Sequence, residues 1–548
     1  MKITLTINGE QKVFNDRVPL SSLVDEDDKT IIAAKVNNRI RELSYEVYFD
    51  AEIEFLTTKD YDAVKIYETS LRYLVAMAMD RLYPGVEIHF SYSISRSIYM
   101  EILDKNIIVD EKLVLKLVKE LDSLIDRNLP FTRKIVSNDQ AAEFYQNNPT
   151  FQDKLAILKY RPEKTVHFYE CDGYINYMYG YMVPTTGRLK KYKLMQYNGG
   201  ILIRYPRSES NGKVPDFEDM PRYSHSLREA QDWAHKMNTN SVAGINDYIE
   251  NGQAVELINM SEARHNDMLA ELGKNIADNP DIRLIAIAGP SSSGKTTFAN
   301  RLRIELMSRG LRPVRISIDD YYLNDDETPL DEDGKPDLES VDALDLALFN
   351  KNMLDLIEGK EVTLPRFDFK GRGRMVGRTL KVASDQPIII EGIHALNEVM
   401  TSSIPAKNKF KIFISPQAQM NIDYDNPVSL TDLRLLRRLV RDYAYRNSSA
   451  EETIAMWPSV RKGEFKWIYA TEEDADFVFN SFLPYELPVM RKVVIPLLRA
   501  IPYESEHFTV AERLLRLLKY FVDMDDEWIP NNSLIREFIG GSCFEEVK

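Results

Sequence analysis

Apolar and polar residues alternate from the first positions of the chain. Ile3, Leu5 and Ile7 recur at period two, Asn8-Gly9 supplies a tight hairpin turn, and a second short strand follows at 12–14. IIAAKVNNRI and AEIEFLTTKD add strand-like segments, so residues 1–58 predict a small mixed, β-rich module. The period then lengthens. Val64, Ile66, Leu71, Leu74, Val75, Ala78 and Leu82 fit a helix over 61–84 that stops at Tyr83-Pro84-Gly85. Strands and helices mix from there to about 220. Helices around 227–237, 242–251 and 260–276 make 221–280 a helical connector. From LIAIAG onward, apolar strands alternate with helices to about 500, the pattern of a parallel α/β sheet. The tail, 501–548, reads as a helical extension with LLRLLKYF as its clearest stretch.

At 548 residues the chain exceeds what one hydrophobic core organises, which implies three or four domains. With 44% hydrophobic and 28% charged residues it has the composition of a folded globular protein. A formal net charge of -15 argues against a generally basic nucleic-acid surface and leaves a local basic patch open. Two cysteines, Cys171 and Cys543, give neither a disulfide framework nor a paired Cys-x-x-Cys zinc motif, so a reducing, cytoplasmic setting is expected. The opening MKITLTINGE has no basic n-region or apolar h-region, and no stretch approaches about 18 uninterrupted apolar residues. Neither secretion nor a membrane span is expected.

The candidate chemistry begins at GPSSSGKTT, between an apolar strand at 284–288 and a helical run at 298–307. Strand, glycine loop and helix are the context of a Walker A motif. Gly289 and Gly294 permit the turn, and main-chain N–H groups of Pro290-Ser291-Ser292-Ser293 through Thr297, proline excepted, face the phosphates of ATP. Lys295 is placed to reach the β- and γ-phosphates and Thr296 to hold Mg²⁺. The loop alone does not separate an ATPase, a GTPase and a kinase. The next strand, 314–318, delivers Asp319-Asp320-Tyr321-Tyr322 to the carboxyl edge of the sheet, where ligands of open α/β folds bind. Asp319 is the candidate general base for a hydroxyl acceptor, although Asp-Asp after a strand is also an ordinary turn or cap.

The order "SIDDYY", "VDALDL", "LPRFDF", "IIIEGIHAL" and "RLLRRLVRD" resembles the uridine kinases over roughly 283–485, and more loosely phosphoribulokinase and pantothenate kinase. The resemblance implies a P-loop kinase domain at 281–500 using ATP and Mg²⁺, with a nucleoside-like acceptor. It places Glu391 in the Walker B position beside Mg²⁺, and Arg438 and Arg446 among the arginines that meet the phosphates. Arg434, Arg437 and Arg441 share the helical spacing, and a solvated charged face is the other meaning of such a run. Tyr322, Glu339, Phe367, Phe369 and Arg372 fall at acceptor-pocket positions. Glu339 and Arg372 differ from the aspartate and histidine of uridine kinases, which admits an acidic acceptor or another nucleoside. Phe367 and Phe369 fit base stacking and core packing equally.

The front half resembles threonyl-tRNA synthetases. "AAKVNNRIRELSYEVYFDAEIEFLT" is similar to a TGS domain, and "LYPG" with "YKLMQYNGGILIRYP" to the editing-type domain that follows it, here 59–220. The resemblance implies a β-grasp-like module and an α+β module ahead of the α/β kinase domain. Thr69, Tyr73 and Ile175 replace three of the four His/Cys positions of such editing sites and only Cys171 remains, so no zinc and no aminoacyl-tRNA hydrolysis are expected there. His167 and Cys171 share a strand face by period two, as a buried structural pair. Arg188, Lys190, Lys191, Tyr192 and Lys193 suit RNA phosphates and bases or, more simply, a solvated hairpin. A kinase regulated by its front half, an RNA-binding regulator with the P-loop as an ATP switch, and a scaffold with a degenerate nucleotide site remain as readings. A homo-oligomer is compatible with each, and no membrane partner is expected.

Overall fold

The computed structural model describes residues 2–25, 28–324, 326–330, 334, 336–368 and 373–544. Strands Ile3–Ile7 and Glu10–Phe14 pair antiparallel across Asn8 and Gly9, whose φ angles of 50° and 84° give the mirror-image turn that matches strand twist. Ile3–Ile7 also runs parallel to Ala51–Thr57, which leads on to Ile31–Val36 and Arg39–Arg41 in a five-stranded β-grasp-like sheet. Leu5, Val36 and Ile53 fill its core. Helix Tyr61–Leu82 is buried around most of its circumference, because it packs against this sheet and against a second one. That second sheet is antiparallel, in the order Lys193–Tyr197, Gly200–Arg204, Ser97–Ile102 and Ile88–Ile94. Thr132–Ser137, Thr165–Cys171 and Tyr174–Tyr177 form a separate three-stranded sheet.

The α/β part is built on five parallel strands in the order Val314–Ser317, Ile388–Glu391, Leu284–Ala288, Lys409–Ser415 and Phe477–Asn480. Runs such as LIAIA are apolar throughout because both faces of the sheet are covered. Much of the cover comes from outside 281–500. Helices Pro221–Lys236, Val242–Glu250 and Ala254–Ala277 occupy the connector, and Val242, Ile245, Leu257, Leu272 and Ile276 share one core with Ile285, Ile287 and Phe298. Tyr92, Tyr99, Leu202, Met220 and Tyr223 pack with Leu284 and Ala286 on the other face.

The tail departs from the expected helix. Among its described residues only Phe508–Leu518 and Arg536–Ile539 are helical, because DMDDEWIPNN between them is rich in turn-forming Asp, Asn and Pro. No helix of the described residues is long and apolar enough to cross a membrane. A cavity of about 670 Å³ lies between the front half and the α/β part, and it touches the glycine loop only at Pro290.

The two parts are also joined by buried charge. Lys154, in helix Gln152–Leu158, places Nζ 2.8 Å from both Asp423 Oδ1 and Asp425 Oδ2, with the lysine side chain 1% exposed. Replacing it with methionine leaves two carboxylates buried without their cation, a change that costs roughly 3–5 kcal/mol. Urea unfolding of Lys154→Met is therefore expected to show a destabilisation of that order. An unchanged midpoint would show that the triad does not hold the parts together.

Candidate functional site

The central strand Leu284–Ala288 delivers GPSSSGKTT to the carboxyl edge of the sheet, and helix Lys295–Ser308 begins directly after it. The loop tolerates only glycine at two places. A Cβ on Gly289 would lie 2.0 Å from the Ile414 carbonyl oxygen, and Gly294 has φ +90° with Leu534 packed against it. Ser292 is also left-handed, at φ 59°. Such a succession of left-handed residues turns main-chain N–H groups toward one concavity, an anion-binding nest. The buried Ser292, Ser293 and Thr297 hydroxyls have no hydrogen-bond partner. These groups fit a polyphosphate, which offers acceptors on several sides. Lys295 Nζ donates to the carbonyls of Gly289 (2.9 Å) and Pro290 (3.1 Å), and burial pushes its pKa down.

Asp319 lies on the short turn Ile318–Tyr321, just past strand Val314–Ser317, instead of on the strand itself. Desolvation raises its pKa, against the pull of Lys295 and Arg446. Glu391 ends the adjacent strand, almost fully buried, with Arg315 Nη1 3.3 Å away; burial and the charge of Asp319 push its pKa up. Two desolvated carboxylates that repel each other beside a nest for phosphate form an environment that a divalent cation relieves. The site thus fits Mg²⁺ with Glu391 and the Thr296 hydroxyl as its holders.

The arginine run lies on helix Leu430–Tyr445, and the structure divides it. Arg434 and Arg437 are consumed in buried pairs with Glu464 and Glu486. Ser291 is gripped from every side: its carbonyl accepts from Arg434 Nε (3.1 Å) and Nη2 (2.9 Å), its N–H donates to Glu464 Oε1 (3.2 Å), and its Oγ accepts from Arg438 Nη1 (2.8 Å). Arg438 therefore reaches the loop, held in turn by Asp442 at 3.1 Å. Arg446 caps the helix with a side chain 57% exposed, and its charge reaches Asp319.

Among the residues expected at the acceptor pocket, Glu339 faces this centre. Burial and the neighbouring Glu464 push its pKa up to about 7, while Arg438 and Lys295 oppose the shift. Gly463 lets it approach, since a Cβ there would collide with the Glu339 side chain. Phe367 is buried with its ring 5.7 Å from that of Tyr322, whose hydroxyl donates to the Leu338 carbonyl. These two aromatics thus pack as a wall. Phe369 and Arg372 lie outside the described residues.

Three residues were missed by the sequence reading. Glu464 opens a π-helical turn and clamps Ser291. Buried His394 sits in the IIIEGIHAL run and contacts the Glu339 carbonyl through Nε2 at 3.0 Å. Glu537, from the short C-terminal helix, accepts a hydrogen bond from the Thr297 N–H at 3.0 Å. Its carboxylate thereby occupies one of the free amides at the start of the P-loop helix.

In the front half, Tyr73, one of the expected editing-site positions, donates to the carbonyls of Tyr169 (3.1 Å) and Tyr174 (2.7 Å), and Thr69 and Cys171 are buried. Ile175 lies on the neighbouring strand. His167 does share a face with Cys171, but it opens onto the large cavity and is only half-buried, which corrects the expected buried pair. Arg188 is committed to the carbonyls of Asp28 (2.9 Å) and Ile31 (2.5 Å), and Tyr192 to Asp122 (2.7 Å). Lys190, Lys191 and Lys193 are exposed.

The fold and loop define the α/β part as a P-loop kinase fold. Residues 284–486 match the model of the phosphoribulokinase / uridine kinase family. The N-terminal half is similar to threonine–tRNA ligases: 28% identity over 214 residues with that of Marinobacter nauticus, covering 38% of this chain and 33% of the ligase, and 25% over 289 residues with that of Thermotoga neapolitana, covering 49% and 44%. The chain thus spans between a third and a half of the length of these curated relatives. Solved structures that resemble it include a possible uridine kinase from Bacillus stearothermophilus (19% identity, 39% of this chain and 98% of that one, TM-score 0.28). Another is D-glycerate 3-kinase from Cryptococcus neoformans (17%, 40% and 89%, TM-score 0.26).

Because Glu537 competes for an amide that a phosphate would use, its removal is expected to tighten ATP binding. Calorimetric titration of Glu537→Ala should give a Kd about tenfold lower, equivalent to about 1.4 kcal/mol. An unchanged Kd would mean that the tail leaves the loop before nucleotide arrives at no cost.

Proposed function

We propose that this protein transfers the γ-phosphate of ATP to a hydroxyl of a small, nucleoside-like molecule. The observation that carries the reading is the convergence of Lys295, Asp319 and Glu391 at the carboxyl edge of one parallel sheet, beside the glycine loop. A bare nucleotide switch has no use for a desolvated aspartate at that point, whereas a kinase needs a base for the acceptor hydroxyl. In this reading Asp319 accepts the hydroxyl proton, and its desolvation makes it a stronger base than an exposed carboxylate. The loop amides and Lys295 hold the phosphates in line, and Arg438 stabilises negative charge as it shifts. When bound, Mg²⁺ at Thr296 and Glu391 neutralises the β- and γ-phosphates. Glu339 and the Tyr322–Phe367 wall border the acceptor. An acid there suits hydroxyl-rich neutral molecules such as a ribose better than an anion.

A panel of nucleosides, sugars and sugar phosphates, incubated with ATP, Mg²⁺ and the full chain, tests this reading. A phosphorylated product is expected for at least one nucleoside. Asp319→Asn should lower kcat by about 10²–10⁴ while ATP still binds. Absence of any product, with ATP turnover insensitive to Asp319→Asn, would overturn it.

A further inference from the structure

Only seven histidines occur in the chain, and two of them meet far from the glycine loop. His89 and Glu101 are direct cross-strand partners on Ile88–Ile94 and Ser97–Ile102, so their side chains leave the same face of the sheet. Helix Pro221–Lys236 lies over that face and presents Gln231 and His235, one turn apart. One ligand atom from each of His89, Glu101 and His235 falls within a group no wider than 4.8 Å. His89 Nδ1 is 3.6 Å from Glu101 Oε2. Gln231 Nε2 stands among them, 2.5 Å from Glu101 Oε2 and 3.5 Å from both His89 Nδ1 and His235 Nε2.

From this arrangement we infer a binding site for a divalent transition-metal ion of the zinc type, held by His89, Glu101 and His235 with the Gln231 amide oxygen as fourth ligand. Ligand bonds of about 2.0–2.2 Å around a tetrahedral ion set ligand-to-ligand edges near 3.3–3.6 Å. Three of the separations here have that length. Gln231 is 4% exposed, and its Oε1 is buried with no hydrogen-bond partner, as is His89 Nε2. A half-turn of the amide exchanges its nitrogen for this unsatisfied oxygen at the centre of the group. The Asn240 amide stands 3.2 Å from His235 Nδ1, and a half-turn that brings its Oδ1 to the ring lets it accept the Nδ1–H and leaves Nε2 free for the ion, the usual role of a partner behind a ligating histidine.

The site is structural in character. It pins the antiparallel sheet of the front half to the helix that opens the connector, and the His89 ring also lies 5.0 Å from that of Tyr424 in the kinase part. Binding there stabilises the junction of all three segments by mass action.

The test is titration of the full, chelator-stripped chain with Zn²⁺, carried out in a Glu391→Gln background so that the P-loop carboxylates do not contribute. One equivalent per chain is expected, with a rise in Tm, and Co²⁺ in its place should give the visible d–d bands of a low-coordinate site. His235→Ala and Glu101→Gln should each weaken binding at least about a hundredfold, since loss of an outer-shell partner alone costs 10–100-fold. Glu101→Gln keeps the volume of the side chain and guards against a variant that merely misfolds. Absence of stoichiometric binding by the parent chain, or binding that persists in folded Glu101→Gln and His235→Ala proteins, overturns the inference.

Discussion

The constraint on which the site depends is electrostatic: a helix begins at Lys295 with main-chain N–H groups that have no partner within the helix. Folding the strand, loop and helix creates a concentrated positive potential, which must be met by an anion. The surrounding structure is organised to keep that nest intact. Gly289 and Gly294 allow the turn, Arg434 and Glu464 fix the Ser291 peptide from both sides, and the parallel sheet brings Asp319 and Glu391 to the same edge. In the structure the anion at Thr297 is the chain's own Glu537. The tail thus satisfies the donor that a nucleotide phosphate would otherwise claim.

The front half is not an appendage of this site. Residues from 92 to 223 and from 242 to 276 complete the two cores on either side of the P-loop strand, and Lys154 extends a buried ion pair into the kinase part. The synthetase-like module supplies part of that packing surface. Its Tyr73 hydroxyl ties the Tyr169 and Tyr174 carbonyls together. Stability of the kinase fold and attachment of the front half are therefore coupled by ordinary hydrophobic burial, without any need for a dedicated signalling path.

The P-loop, the Asn8-Gly9 hairpin and the helix ending at Pro84 were legible in the sequence because each is decided by neighbours a few residues away. The roles of the arginines were only half legible. Helical spacing showed that Arg434, Arg437, Arg438 and Arg441 share a helix, but which of them are consumed by buried glutamates depends on Glu464 and Glu486, 30 and 49 residues along. Glu537 was out of reach for the same reason, since 240 residues separate it from Thr297. The tail was misread because the strong periodicity of 514–521 does not extend across its Asp, Asn and Pro residues. Of the cluster of His89, Glu101, Gln231 and His235, only the one-turn spacing of Gln231 and His235 was visible along the chain. The rest requires a cross-strand register and a helix docked on it.

Hydrogen exchange of the full chain with and without Mg·ATP decides whether the glycine loop is a nucleotide site whose Thr297 amide is occupied by Glu537 of the tail until nucleotide binds. Nucleotide is expected to slow exchange across 289–297 and to speed it across 533–540, as Glu537 gives up the Thr297 amide. Slowed exchange in both segments, or no change in either, would contradict it.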